Sequence, residues 1–96
     1  MKTVQELQQL VYTFHSDPSH AWLEVTQEAL KTLGIENDVS CWSYVYEDKA
    51  YLEEDCDAGL FIKTLFHGSP EARAKLQINE EIYNDNCFIR ALSSYC

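Results

Sequence analysis

Six carboxylate side chains fall within eleven consecutive residues near the middle of the sequence, and a single lysine, Lys49, opposes them. The carboxylates belong to Glu47, Asp48, Glu53, Glu54, Asp55 and Asp57, and the rings of Tyr44, Tyr46 and Tyr51 stand beside them. A rigid array of carboxylates can imitate the phosphate field of a nucleic acid and occupy a cationic groove, so these residues are candidates for binding a basic partner. The same residues also fit a solvated sheet edge that prevents edge-to-edge pairing.

A second group of chemically active side chains, His15, Asp17 and His20, lies within six residues. If a turn brings them together, they can bind Zn²⁺ or another divalent metal, with Glu53 or Asp55 completing the shell. They can also supply general acid and base groups to a small catalytic site. The spacing matches no known zinc motif, and an Asp before a proline is ordinary in a turn. A purely structural role is therefore favoured, and metal binding is the alternative.

The aromatic residues and the cysteines have structural interpretations that compete with functional ones. On an exposed sheet face, four aromatic residues would form an interface: Trp22, Trp42, Tyr44 and Tyr46. The residues that alternate with the rings of the third strand are small, which favours a place in the core for most of these rings. The four cysteines have no CxxC spacing, and no secretory segment precedes them, so free thiols in a reducing compartment are expected. No catalytic motif is recognisable, which favours a binding protein over an enzyme.

Length and charge limit the classes of partner. The 96 residues fit one domain spanning residues 1–96, and a chain this short gains stability from a partner or a second copy, so a homodimer stays open. Sixteen acidic and seven basic residues give a net charge of −9, which disfavours direct binding to nucleic acid or to an anionic membrane. No apolar run is long enough to span a bilayer. The expected partner is a basic protein, and no cofactor is expected outside the metal alternative.

Local patterns predict a helix, two hairpins that are each followed by a helix, and a less regular tail. The predicted helices span residues 3–10, 26–34 and 58–66, and the predicted strands span 11–16, 21–25, 41–46 and 50–54. Residues 71–96 allow a helical turn, a strand or a second short helix, and an apolar closing segment of undetermined type. The predicted class is α+β, with an antiparallel sheet built from two β-hairpins, each followed by a helix packing on one face, plus a short N-terminal helix.

Several segments together resemble a family of small bacteriophage and prophage proteins. Residues 15–25 read HxDPxHxWLEV, residues 40–44 read SCWSY, residues 51–57 read YLEEDCD, and Phe88-Ile89-Arg90 is similar to the family's ending. The resemblance covers about residues 12–62. It implies a mobile-element protein in the cytoplasm of a bacterial host, and it brings no activity with it. Small acidic phage proteins often bind and block host machinery, including CRISPR effectors, and this association between class and behaviour favours an inhibitor and, in one version, an anti-CRISPR protein.

Overall fold

A six-stranded sheet forms the centre of the computed structural model, which describes residues 2–96. Its strands are β1 (Val11–Ser16), β2 (Ala21–Thr26), β3 (Tyr44–Tyr46), β4 (Lys49–Glu53), β5 (Gln77–Ile82) and β6 (Ser93–Ser94). The helices are α1 (Val4–Gln8), α2 (Gln27–Thr32), α3 (Asp57–Leu65) and α4 (Pro70–Arg73), with a 3₁₀ helix at Phe88–Ala91. The predicted α+β class is confirmed. Within the described part of the chain, no helix has the length and hydrophobicity needed to cross a membrane.

The sheet is mixed, so the prediction of a purely antiparallel sheet is wrong. The strands lie in the order β5-β1-β2-β4-β3-β6. Two antiparallel hairpins, β1–β2 and β3–β4, join through the antiparallel pair β2–β4. Strand β5 pairs with β1 in parallel, from Val11 opposite Gln77 to Ser16 opposite Ile82. A parallel pair requires a crossover connection, and the chain between the two strands contains α3 and α4.

Two helix ends follow the capping signals in the sequence. At the start of α1, the Thr3 hydroxyl accepts the Glu6 N–H at 3.2 Å and the Glu6 carboxylate accepts the Thr3 N–H at 2.9 Å, which is a capping box. After α2, Gly34 adopts a φ of 71° and the Ile35 N–H donates to the Leu30 carbonyl at 3.0 Å. This Schellman motif turns the chain back toward the sheet.

The helices cover one face of the sheet and form the main core with it. Leu23 on β2 lies between Phe14 and Leu52 on the neighbouring strands, and its side chain is buried against Phe61 of α3 and Leu30 of α2 in one cluster. The other buried members of this cluster are Leu7, Tyr12, Val25, Ala29, Ile35, Val39, Ala50, Ala58, Leu65 and Phe66. Helix α3 contributes Ala58, Phe61 and Leu65 to this layer, while Leu60 and Ile62 are partly buried against it.

The C-terminal segment, residues 87–92, covers part of the opposite sheet face. Trp22 and Tyr51 alternate with the core residues of their strands, so their side chains point away from the helices. They are buried against Cys87 and Ile89 in a second, smaller apolar cluster. The ring of Phe88 lies edge-on to Tyr51 at 5.7 Å between centroids. The sheet therefore separates two apolar layers, and the second one packs strand residues against the segment that contains the 3₁₀ helix.

The prediction of four free thiols is wrong for two of the cysteines. Cys41 and Cys96 form a disulfide with a Cα–Cα distance of 5.1 Å, whereas Cys56 and Cys87 are free. Cys41 and Cys96 are 55 residues apart, so no local pattern in the sequence indicated that they pair. The pair is brought together because β6 lies against β3, where Ser94 is opposite Tyr44.

Candidate functional site

A cleft of about 530 Å³ opens on the sheet face that lacks the helices. This volume lies within the range of small-ligand and side-chain pockets. Three aromatic rings, a histidine, two carboxylates, an arginine and a thiol line it: Trp22, Trp42, Tyr44, His20, Glu53, Asp55, Arg90 and Cys56. The combination of aromatic surface with carboxylates makes it the best candidate for a binding site in the described residues.

Trp42 is the most exposed large apolar side chain of the described residues, at 77%. It nevertheless stands on a fixed loop, because the residue on each side is anchored. Cys41 is cross-linked to Cys96, and Ser43 is fully buried with its hydroxyl donating to the Asp57 carboxylate. An exposed tryptophan on a loop that is already ordered loses little conformational entropy on binding.

Asp57 is the residue that holds the Trp42 loop, and it is not part of the acidic surface. Its side chain is buried at the start of α3 and accepts the Ser40 N–H at 3.1 Å and the Ser40 hydroxyl at 2.6 Å. Asp57 is the first residue of α3, whose N-cap position is Cys56, where no side-chain cap forms. Asp57 therefore leaves the predicted partner-binding set and becomes a positioning residue for Trp42.

One wall of the cleft is an ion pair between Arg90 and Asp17, which we call the arginine clamp. Arg90 donates to both carboxylate oxygens of Asp17, at 2.6 and 2.9 Å, and its guanidinium lies 5.5 Å from the centre of the Trp22 ring. Asp17 also accepts backbone N–H groups from Ser19, His20 and Cys87, each at 3.0 Å. The Arg90 hydrogen bonds, followed by these backbone donors, hold the pKa of Asp17 far below its usual range. The clamp thus stays ionised and its two charges neutralise each other.

Two carboxylates give the cleft its net negative charge. The Glu53 oxygens each accept one backbone N–H at 3.1 Å, from Asp55 and from Cys56, so the orientation of this carboxylate is fixed. Each oxygen retains capacity for a further donor. Asp55 is exposed beside it, and the exposed Glu54 continues the acidic stretch outside the cleft. A fixed carboxylate next to exposed aromatic rings is a favourable environment for a cation.

The remaining predicted residues lie away from the cleft. Glu47 and Asp48 form the β3–β4 turn, at about 16 Å along the strand from Glu53 by the usual rise per residue. Tyr46 is exposed near that turn, whereas Tyr51 is buried in the second apolar layer, where burial raises its pKa. Of the nine predicted partner-binding residues, the structure therefore brings Tyr44, Glu53 and Asp55 together in the cleft.

The alternative metal set is not assembled in this fold. His15 is buried between the Tyr83 hydroxyl at 3.0 Å and the Glu24 carboxylate at 2.9 Å, while Asp17 is saturated by its five donors. His20 lies at the cleft, against the Trp22 ring. Across residues 2–96, no three His, Cys, Asp or Glu side chains meet as a metal site. His15 and Asp17 instead join the first hairpin to the chain that follows β5, through Tyr83 and Arg90.

Sequence reasoning missed Arg90, Trp42 and Cys56 as members of the site. The clamp joins residues 73 positions apart, and no local pattern reports a pairing at that distance. Trp42 was assigned to the same strand face as Tyr44, but the strand begins only at Tyr44, so the alternation does not reach Trp42. The SCWSY segment contains a usable signal, since two serines flanking Cys-Trp are good partners for a nearby carboxylate.

Comparisons with protein-family models, with curated proteins and with solved structures find no match to this chain. The resemblance to phage proteins therefore stays a prediction.

Proposed function

We propose that this protein is an interaction protein that binds and blocks a basic, nucleic-acid-handling host protein. The observation that carries the proposal is the exposed Trp42, held on an anchored loop at the mouth of a cleft with two carboxylates. Tryptophan is enriched in binding hot spots, and a preorganised one contributes most. The aromatic rings and carboxylates that line the cleft are suited to the recognition of a cationic group.

The charge of the molecule supports a basic partner. A net charge of −9 attracts cationic surfaces over a Debye length and accelerates encounter with them. The exposed carboxylates at both ends of the β3–β4 hairpin, Glu47 and Asp48 at the turn and Glu54 and Asp55 near the cleft, extend that field along one edge region. A protein groove that normally holds nucleic acid fits such a nucleic-acid mimic, whereas nucleic acid itself and anionic membranes are repelled.

The resemblance to phage proteins supports a specific version of this proposal. A phage-type inhibitor acts in the cytoplasm of its bacterial host, and an anti-CRISPR protein is one example of a blocker of a nucleic-acid-handling complex. Disulfides rarely persist in a reducing cytoplasm. In that compartment the Cys41–Cys96 bond is expected to open, and Asp57 then anchors the Trp42 loop through its bonds to Ser40 and Ser43.

The test is capture by the immobilised protein from a bacterial lysate, with a low-salt wash and then a high-salt wash. The expected result is one basic nucleic-acid-binding complex that is released by salt and whose nucleic acid competes for binding. The informative variant carries Glu53→Lys, Glu54→Lys and Asp55→Lys. The control carries Glu71→Lys, Glu80→Lys and Glu81→Lys, which give the same net charge but lie on α4 and on the opposite edge strand β5.

Loss of capture in the first variant alone supports the proposal, provided that circular dichroism shows both variants folded. Equal capture by wild type and by the folded Glu53/Glu54/Asp55 variant would sink it. Equal loss in both variants would mean that net charge, and not this surface, attracts the partner, and it would also reject the assignment of the surface.

A further inference from the structure

The geometry points to a more specific role for the cleft: it is a socket for one arginine side chain of the partner protein. The inference rests on the proposed function, because it assumes a protein partner. It adds the chemical group that is recognised, namely a guanidinium that stacks on the Trp42 and Tyr44 rings and pairs with the Glu53 carboxylate.

The walls of the cleft combine the two features that a guanidinium needs. A guanidinium is planar, is weakly hydrated, stacks on aromatic faces and pairs with a carboxylate through two parallel N–H bonds. Trp42 supplies an exposed indole, and the half-buried Tyr44 lines the same cleft with its ring centroid 6.1 Å from that of Trp22. Glu53 supplies a carboxylate whose two oxygens are already oriented by backbone N–H donors.

The protein shows the same combination within its own chain at the back of the cleft. Arg90 lies between the Asp17 carboxylate and the Trp22 ring, so a guanidinium held by a carboxylate and an indole is already one wall of the site. Because the Arg90 guanidinium already lies over the Trp22 ring, the aromatic surface that is left for a ligand is the exposed indole of Trp42. The charge of Arg90 is compensated by Asp17, and the uncompensated charges facing the cleft are those of Glu53 and Asp55.

Lysine fits the same cleft less well. Its ammonium is a compact and strongly hydrated charge that cannot pair with Glu53 through a planar fork. An anionic ligand is disfavoured because both uncompensated groups are carboxylates. An apolar ligand would remove water from the half-buried Glu53 carboxylate without supplying a counter-charge, which costs free energy.

Three capped tripeptides, Gly-Arg-Gly, Gly-Lys-Gly and Gly-citrulline-Gly, test the inference on the intact protein. Binding is followed by NMR through the backbone amide signals of residues around the cleft, which remain in every variant, and through the indole N–H signal of Trp42 where that residue is present. One stacked cation and one partly exposed ion pair predict a dissociation constant on the order of millimolar for the arginine peptide. The arginine peptide should bind at least about threefold more tightly than the lysine peptide, and the uncharged citrulline peptide should not saturate.

Matched variants locate the binding. Trp42→Ala and Glu53→Gln should each weaken arginine-peptide binding about fivefold, by the size of a single cation–π contact or ion pair. Ile82→Ala removes a side chain that is 74% exposed on β5, and Glu81→Gln removes an exposed carboxylate there, so neither should change binding. Asp55→Asn, at an exposed position, provides a second charge variant in case Glu53→Gln perturbs the loop that its carboxylate orders.

Equal affinity for arginine and citrulline peptides, or unchanged binding in Trp42→Ala, would overturn the socket. The two proposals fail separately. If the lysate capture is sensitive to Glu53, Glu54 and Asp55 but the peptides do not discriminate, the socket is wrong and the interaction protein stands. If the arginine peptide binds as expected but the triple reversal leaves capture intact, the cleft binds arginine and the proposed role of this surface in capturing a basic host protein is wrong.

Discussion

Replacing Asp17 by Asn tests whether the clamp with Arg90 holds the second apolar layer together. The Asp17 side chain has no solvent-exposed area, and five N–H donors converge on its two oxygens. Asn keeps the shape but places an NH₂ donor where the carboxylate accepts hydrogen bonds. On the Oδ2 side that donor would face the N–H groups of Cys87 and Arg90.

The expected cost is about 3 kcal/mol of unfolding free energy. Breaking a buried ion pair by removing one partner costs roughly 3–5 kcal/mol, and the lower end applies because the Arg90 side chain is 30% exposed and can be hydrated. For a chain of this length, that corresponds to a fall in Tm on the order of 15 °C. Hydrogen exchange should rise first in residues 87–92, because the clamp holds that segment on the sheet.

The pH dependence supplies an independent readout. The folded pKa of Asp17 is depressed by the Arg90 hydrogen bonds, so the stability from this carboxylate is present above its unfolded pKa of about 3.9. It is lost as the pH falls below that value toward the folded pKa. Urea unfolding is therefore measured from pH 7 down to pH 2. The difference in unfolding free energy between wild type and Asp17→Asn should become smaller as the pH falls.

The control is Asp38→Asn, at an exposed aspartate, which should change stability by less than about 0.5 kcal/mol. Arg90→Met and the Asp17→Asn/Arg90→Met double variant complete a cycle that isolates the interaction. A cost below about 1 kcal/mol for Asp17→Asn, or a difference that stays constant across the pH range, would show that the clamp is not a buried ion pair.

Two further predictions concern the disulfide and the buried Tyr12. Reducing the Cys41–Cys96 bond, or replacing both residues by Ser, should cost about 4 kcal/mol by loop-closure entropy for 55 residues, measured by urea unfolding. After air oxidation in vitro, thiol titration of the denatured protein should give two thiols, and four would contradict the pairing. Burial raises the pKa of Tyr12 to about 12, so Tyr12 should be the last of the six tyrosines to ionise in a spectrophotometric titration, and Tyr12→Phe should abolish that final step. Because the pKa of Tyr12 is higher in the folded state than in the unfolded state, the stability that its neutral hydroxyl contributes is present up to about pH 10 and is lost toward pH 12. Tyr12→Phe also removes the hydrogen bond from the Tyr12 hydroxyl to the Leu7 carbonyl, which should cost about 1 kcal/mol of unfolding free energy. Ionisation of Tyr12 together with the other tyrosines would refute this assignment.

The elements that could be predicted are those whose signals are local. The capping box at Thr3, the turn at Asp17 and the Gly34 stop each depend on residues within a few positions, and the structure has all three. Strand β1 lies at the predicted residues 11–16, because aromatic and β-branched residues alternate there. The order of hairpin, helix, hairpin and helix follows from these signals.

What could not be predicted depends on contacts between distant residues. The strand Gln77–Ile82 is mostly exposed and polar, so its period carries little information, and its parallel pairing with β1 depends on how the chain crosses over. The clamp, the disulfide and the burial of Asp57 join residues 73, 55 and 14 positions apart. The acidic residues of the site were visible in the sequence, but their separation into exposed and buried members was not.

Both edge strands of the sheet, β5 and β6, come from residues 77–94, while the four central strands come from residues 11–53. The C-terminal part of the chain therefore closes the sheet on both sides, and it also brings Cys96 to Cys41. The same strands can close the sheet of a second molecule just as well, which is the arrangement of a domain-swapped dimer. Oxidative refolding at high protein concentration should thus yield exchanged dimers, covalently linked by two intermolecular Cys41–Cys96 bonds.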